Sequence, residues 1–441
     1  MSSRSAETST SPLWLWPAAV GVVAAGAAMA LTRIRPTSGW LTHLWPGDQD
    51  AASTLFQVVT TAVVTVTTLT FSLTVVALQL ASQQFSPRLL RGVTRDRVSK
   101  GVLATLTAAF VFGIVPIRQL SSSSPVPVVS ALVALLLGIA GFGAGLVFIS
   151  HLTRELQVDT LMLRVHDETD VAIREFHPGY DDPADDPAEL HLDPAADRLL
   201  SATGSGYVQR VDLAALVSAA REHGAVVRLE ARPGDHVVRA TPLATVWTGR
   251  PGAEPPPALA EAVRGAVRLD YERTLDQDAG FGFRQLADIA VKAVSPAIND
   301  PVTAATTTGH LADLLSRVLG RRLGTTAHRD DAGAVRVVVP DRDLHYYLEL
   351  SCGQLRRYGG GEPTVLSAIL RMLRDVAPSC RDDAQRAEIA RAADRVLAQL
   401  PDQAAAEDAE AVRDMRRRVG LALAGDPAAA YADRAGETRS I

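Results

Sequence analysis

Apolar runs without an internal charge alternate with short polar connections over roughly the first third of the chain, and the pattern then changes. Four runs stand out: Leu13 to Leu31, Ala51 to Ala81, Val102 to Ile117 and Val126 to Ile149. About 20 apolar residues cross the hydrocarbon core as a helix, so these runs meet or approach the length of a span. The pattern predicts a flexible tail over 1–12 and a four-helix transmembrane domain over 13–150. From Leu152 onward Arg, Asp, Glu, Ala and Pro dominate, as in a soluble region.

Basic residues orient the spans. Arg88, Arg91, Arg95, Arg97 and Lys100 fall between the second and third runs, whereas Arg118 stands alone between the third and fourth. The positive-inside rule then puts the basic connection, both termini and the whole soluble region in the cytoplasm. Arg33 and Arg35 land on the outer side against the rule, partly offset by Trp40 and Trp45 as interface residues. Ala28-Met29-Ala30 also reads as a signal-peptidase site, but the run is long for a signal core and the preceding tail holds both Arg4 and Glu7. Cleavage there would leave three spans and the same cytoplasmic region.

The second run carries the most distinctive pattern. At 100° per residue, Thr54, Gln57, Thr61, Thr65, Thr68, Ser72, Gln79 and Gln83 fall within about 40° of one line. Such a polar stripe is hidden against other helices or against water. Packing through small hydroxyl residues is the plainer account; a water-filled path lined by Thr61, Thr65, Thr68, Ser72 and Gln79 is the sharper one. Thr60, Thr67, Thr70 and Thr74 lie on other faces, and none of the runs contains an ionisable residue, the usual mark of a proton relay. In the fourth run, Gly138, Gly141, Gly143 and Gly145 predict close helix packing, in this chain or between copies.

The cytoplasmic part divides by composition. Residues 151–198 read as a helical connector followed by an acidic, proline-rich loop, with His166, Asp167 and Glu168 on a solvated face. Residues 199–250 read as a small β-module, "GSGYVQRV" and "AVVRLEARPGDHVVRATPLATVW" being strands around one short helix, with a type II turn at Pro233-Gly234. The module resembles half of a barrel-sandwich fold, but lacks the hairpin lysine that a biotinyl or lipoyl carrier needs. Residues 251–425 read as a mostly helical domain, with helical spacing over Pro257 to Leu275, Phe281 to Val294 and Val302 to Leu319, one strand in "AVRVVVPD", and a disordered tail over 426–441. The expected fold is a multi-pass helical membrane domain followed by an α+β region.

Candidate chemistry is thin. A net charge of -5 and the absence of a basic cluster interleaved with aromatics exclude a nucleic-acid face. Cys352 and Cys380 have no metal-ligand spacing, so neither a zinc site nor a disulfide framework is expected, and a reducing compartment is the simpler assumption. No cofactor fingerprint and no catalytic motif occurs in a supporting context. "AVSPAINDP", Ala293 to Pro301, is the most unusual stretch. Ser295-Pro296 predicts a helix stop, and Asp300-Pro301 an N-cap and first helical position. Asn299 and Asp300, with the following hydroxyls and His310, form a candidate ligand corner; His310 and Asp313, three apart, share a helix face, with a packed histidine as the plainer account.

The stretches "SLTVVALQLASQQFSPRLLRGVTRDR", "SGYVQRVDLAAL" with "RPGDHVVRATPLATVW", and "RTLDQDAGFGFRQLADIAVKAVSPAINDPVTAA" resemble the bacterial predicted membrane proteins catalogued as domain of unknown function number 2254. The likeness runs from the second apolar run to about Val376. It implies a multi-pass protein of the bacterial cell membrane with a cytoplasmic portion, and supplies no catalytic residues. The expected partners are the lipid bilayer and further copies of the chain. Two functional classes follow: an oligomeric channel- or transporter-like assembly with a cytoplasmic regulatory domain, or a membrane-anchored sensor or scaffold. An enzyme ranks third.

Overall fold

In the computed structural model, residues 15–33, 48–84, 97–119, 126–181, 197–249 and 254–432 are described. The chain forms two compact units, Met1–Leu161 and Met162–Ile441. The basic stretch Arg88 to Arg95, together with Arg35, Trp40 and Trp45, lies outside the described residues, as do the side chains of Gln83 and Arg97.

The first unit holds α1 (Leu15–Arg33), α2 (Gln49–Gln84), α3 (Arg97–Ile117) and α4 (Val128–Glu155), all long and apolar enough to cross a membrane. This is a membrane protein with four candidate spans. α1 packs mainly on α3, while α2 packs on both α3 and α4. Phe56 of α2 and Phe112 of α3 meet buried alanines of α1 and α4; Val59 and Val63 meet Leu106, Ala109 and Phe148. The glycines of α4 find their partner within this chain. A Cβ on Gly138 would sit 3.1 Å from the methyls of Val59, and one on Gly145 2.7 Å from Val66, so only glycine lets α4 lie this close to α2. Gly143 has open space on its side.

The second unit starts within α5 (Val158–Phe176) and contains two sheets. Strand β2 (Gly206–Val211) pairs antiparallel with β4 (His236–Val237) and with β6 (Val267–Asp270). The larger sheet joins β1 (Asp197–Ser201), β5 (Pro242–Trp247) and β3 (Val226–Leu229) to β8 (Val335–Val339) and β7 (Thr326–Arg329). Helices α6 (Leu213–Glu222) and α7 (Pro257–Ala266) close one core with these strands through Leu216, Ala220, Leu259 and Val263.

Two sequence expectations change here. The helix expected over Pro257 to Leu275 stops at Ala266, because Val267 and Leu269 alternate as a strand that satisfies the backbone of β2. The β-module does not end at 250: β3 pairs in parallel with β8, which lies in the region expected to be mostly helical. Left alone, β3 would expose an unpaired edge.

The helical part holds α8 (Ala279–Ala293), α9 (Pro301–Leu319), α10 (Leu344–Leu348), a π-helical turn (Glu349–Gly353), α11 (Gln354–Tyr358), α12 (Pro363–Val376), α13 (Asp383–Leu397) and α14 (Ala406–Leu423). The tail expected to be disordered from 426 begins with a short helix, α15 (Pro427–Ala430). Asp426 caps it, Ala430 is fully buried, and Tyr431 stacks on the buried guanidinium of Arg374 at 4.4 Å.

Candidate functional site

The polar line of α2 lies on the outside of the four-helix bundle. Thr54, Gln57, Thr61, Thr65, Thr68, Ser72 and Gln79 are all exposed in the single chain, whereas Ala52, Phe56, Val59, Val63, Thr70 and Ala77 are buried. At 100° per residue the two sets are on opposite sides of the helix. The hydroxyls on the line are turned inward upon their own backbone: Thr65 donates to the Thr61 carbonyl and Thr68 to that of Val64, each at 2.9 Å. Thr60, Thr67, Thr70 and Thr74 do the same on the other faces. Helix backbone therefore accepts the protons of these six threonines, and each of them presents its methyl as readily as its oxygen.

Where α2 ends and α3 begins, a half-open crevice of about 620 Å³ runs between the helices. Its walls include Phe71, Leu78, Leu103, Phe110, Phe148 and Leu152, with Pro17 of α1 at one side. Thr67, Thr70, Thr74 and Thr107 also line it, but their hydroxyls are committed to carbonyls one turn back. An apolar chain suits this lining better than a hydrated solute.

The corner at Ala293 to Pro301 is a capped turn. Asp300 accepts from the Thr303 amide at 3.0 Å and from its hydroxyl at 2.6 Å, and these bonds, the hydroxyl first, hold its carboxyl below the usual aspartate range. Asn299 is exposed at φ 51°, a left-handed conformation that asparagine tolerates. Asp300's backbone N–H returns to the Ala293 carbonyl at 2.8 Å, closing the loop on the end of α8. His310 does not join it. Ten residues of helix place it about 15 Å further along α9.

His310 instead sits edge-on to His166, with ring centroids 5.4 Å apart. This overturns the solvated face expected for His166: the residue is buried, and its Nε2 meets Asp313 at 2.8 Å. Only its neighbours Asp167 and Glu168 are exposed. Asp313 also accepts from Arg317, which bridges to the buried Asp170 of α5 at 2.8 Å. The His310–Asp313 spacing thus serves an inter-helix lock between α5 and α9. Among the described residues no group of three or more acidic, histidine or cysteine side chains is placed to hold a metal. Cys352 and Cys380 are buried free thiols, burial pushing them up to about 12 and about 11.

A buried charge cluster was not anticipated from the sequence. Asp278 is the N-cap of α8, accepting from the Phe281 amide, and it takes the Arg273 Nε at 2.6 Å with Arg342 at 3.6 Å. Its carboxylate is 1% exposed and the Arg342 side chain 6%, so both charges depend on each other rather than on water. Arg342 further donates to the Pro233 carbonyl and to Asp235, seizing the turn between β3 and β4. Gly234 has φ 89° there, as a type II turn requires, and any side chain on it would collide with the Asp278 carboxylate. Next to this cluster, the Nε2 of His177 lies 3.2 Å from both Asp341 and the Tyr347 hydroxyl. Burial pushes Asp341 up, but the His177 hydrogen bond and charge outweigh it and leave the carboxyl below its usual range. The paired acids and bases of "RTLDQDAGFGF" and "PDRD" were the available signal; only the fold brings them within bonding distance.

A family model described as predicted membrane protein (DUF2254) matches residues 10–375. Two uncharacterised proteins, one from Mycobacterium tuberculosis and one from Mycobacterium bovis, are each 34% identical to this chain over 414 residues, covering 89% of it and 78% of the relative. No solved structure matches.

Proposed function

The chain belongs to the DUF2254 family of predicted membrane proteins, and from that premise we propose that it works as a homo-oligomer of the bacterial cell membrane, both termini cytoplasmic. In this reading copies meet along the polar line of α2 and enclose a channel- or transporter-like path, with the soluble unit as its cytoplasmic regulatory part. The carrying observation is the exposure of Thr61, Thr65, Thr68 and Ser72 on the side of α2 opposite its buried face. Among the described residues no helix of the same chain covers that side, and lipid has no use for a line of polar side chains. A second copy presents the same line in return, which is how a closed symmetric assembly reuses one surface. Gln57 and Gln79 are about 33 Å apart along the helix, near the two edges of a hydrocarbon core, so the stretch between them is what a path would use.

One observation favours the tethering alternative. The Thr65 and Thr68 hydroxyls already have backbone acceptors, so a dry contact between copies leaves these two donors satisfied. Cysteine cross-linking in native membranes, followed by solute and ion flux in liposomes, separates the two. Thr65→Cys and Thr68→Cys are expected to cross-link between copies while Val63→Cys, on the buried face, does not; Thr65→Leu and Thr68→Leu are expected to change flux. Cross-linking with no flux under any gradient moves the reading to a membrane-anchored scaffold. A monomer with no cross-link at either position overturns both.

A further inference from the structure

On the soluble unit, an open groove of about 390 Å³ lies between α8 and the α10–α11 segment, lined by Arg284, Tyr346, Glu349, Gly353, Arg356 and Arg357 among others. Three guanidinium groups thus border it with one carboxylate. That carboxylate is shared: Glu349 lies 3.2 Å from Arg395, which is not among the lining residues, and 3.7 Å from Arg356, which is. Arg284 and Arg357 have no ion pair among the described residues, and the Nε of Arg356 is buried without an acceptor. Arg284, Arg357 and the Nε of Arg356 thus keep donors for an anion or water, while the far end of Arg356 is shared with Glu349.

The backbone lays Glu349 along its own helix at the edge of the groove. Residues Glu349–Gly353 form a π-helical turn inside an otherwise α-helical segment, a rare insertion that recurs at binding sites. A Cβ on Gly353 would come 2.6 Å from the Glu349 carboxylate, so glycine at this position lets the acid fold back against its own helix. The groove is left with unpaired positive charge beside a tyrosine ring. Guanidinium groups offer planar, paired donors that match phosphate oxygens.

We infer that this groove, bordered by Arg284, Arg356 and Arg357 across the π-turn, binds a small phosphate-bearing anion. The site belongs to the soluble unit alone and stands whether or not α2 forms a path. Two sources carry the same chemistry: a free phosphate compound, and the headgroup of a phosphatidic-acid-type lipid.

The test uses the full chain in nanodiscs of phosphatidylcholine alone, titrated calorimetrically with inorganic pyrophosphate or with dihexanoyl phosphatidic acid. Saturable binding is expected, weakening with salt. Arg284→Gln and Arg357→Gln should each reduce affinity by about tenfold or more, as loss of one charge-assisted bond does. Arg413→Gln, an exposed arginine on α14, should leave it unchanged. Neither variant arginine has an ion pair among the described residues, so the unfolding midpoint should stay constant and separates lost binding from lost structure. Preference for pyrophosphate supports a soluble ligand, and preference for the lipid supports a headgroup. Absence of binding by both probes, or binding equally tight in the Arg284 and Arg357 variants, overturns the inference.

Discussion

Asp278 is the side chain whose loss should be felt most in the soluble unit. It is buried, it caps α8 through the Phe281 amide, and it neutralises Arg273 at 2.6 Å and Arg342 at 3.6 Å. Asp278→Asn keeps an acceptor for the cap but removes the charge, leaving Arg342, among the described residues, with only the partly exposed Asp235 as its ion-pair partner. Breaking a buried pair by removing one member costs about 3–5 kcal/mol, most of it from the charge left behind. Asp278→Ala also deletes the cap, adding roughly 0.5–2 kcal/mol. At about 2–3 °C per kcal/mol for a unit of this size, Asp278→Asn should lower the unfolding midpoint by roughly 6–15 °C, and Asp278→Ala by more. Because the chain has two units, that midpoint should be followed by hydrogen exchange at peptides from α8 and the β3–β4 turn rather than from one bulk transition. Adding Arg342→Met to Asp278→Asn should restore part of the loss, since the stranded charge is removed. A midpoint for Asp278→Asn within 2 °C or so of the parent, on the same scale, would refute the claim that this cluster holds the turn to α8.

Three further outcomes can be checked on the same preparation. Gly282 of α8 faces Thr169 of α5, and a Cβ there would overlap the threonine side chain; Gly282→Ala should destabilise by about 1–3 kcal/mol despite alanine's better helix propensity, read as a lower midpoint of the soluble unit. Asp300→Ala should cost about 0.5–2 kcal/mol through the lost cap, without affecting any ligand measurement. Asp300 and Asp341 are both held below the usual aspartate range in the fold, so their contributions are complete above the unfolded value near 4 and are lost as pH falls through the lower folded values. Unfolding midpoints should therefore be flat from pH 7 to about 5 and fall below about 4 in the parent, with a shallower fall in Asp300→Ala.

Some features were legible because they depend only on neighbours along the chain. Four uncharged apolar runs are enough for four spans, since length and composition decide whether a helix suits a bilayer. The cap at Asp300 with Pro301 behind it, and the type II turn at Gly234, follow from local backbone chemistry. Strand β7, "TAHR", was missed because its polar residues show no alternation; it forms only by pairing with β8. The helix expected through Leu275 failed for the same reason, since the backbone of β2 selects Val267 to Asp270 as a strand.

The sequence by itself determined that the chain carries four apolar spans, that a cap starts the helix at Pro301, and that α2 carries a polar line. It also held the family likeness, in motifs spread along the chain. Which way that line faces was decided by packing: Gly138 and Gly145 draw α4 against the far side of α2 and leave Thr61 to Ser72 outside the bundle. The charge partners were likewise tertiary. His166 reads as a surface residue until α9 brings Asp313 to it across 147 positions, and Arg342 meets Asp235 across 107. The reason is physical: a helix or cap is stabilised by atoms a few bonds away, whereas burying a charge is tolerable only beside a counter-charge that folding delivers from elsewhere in the chain.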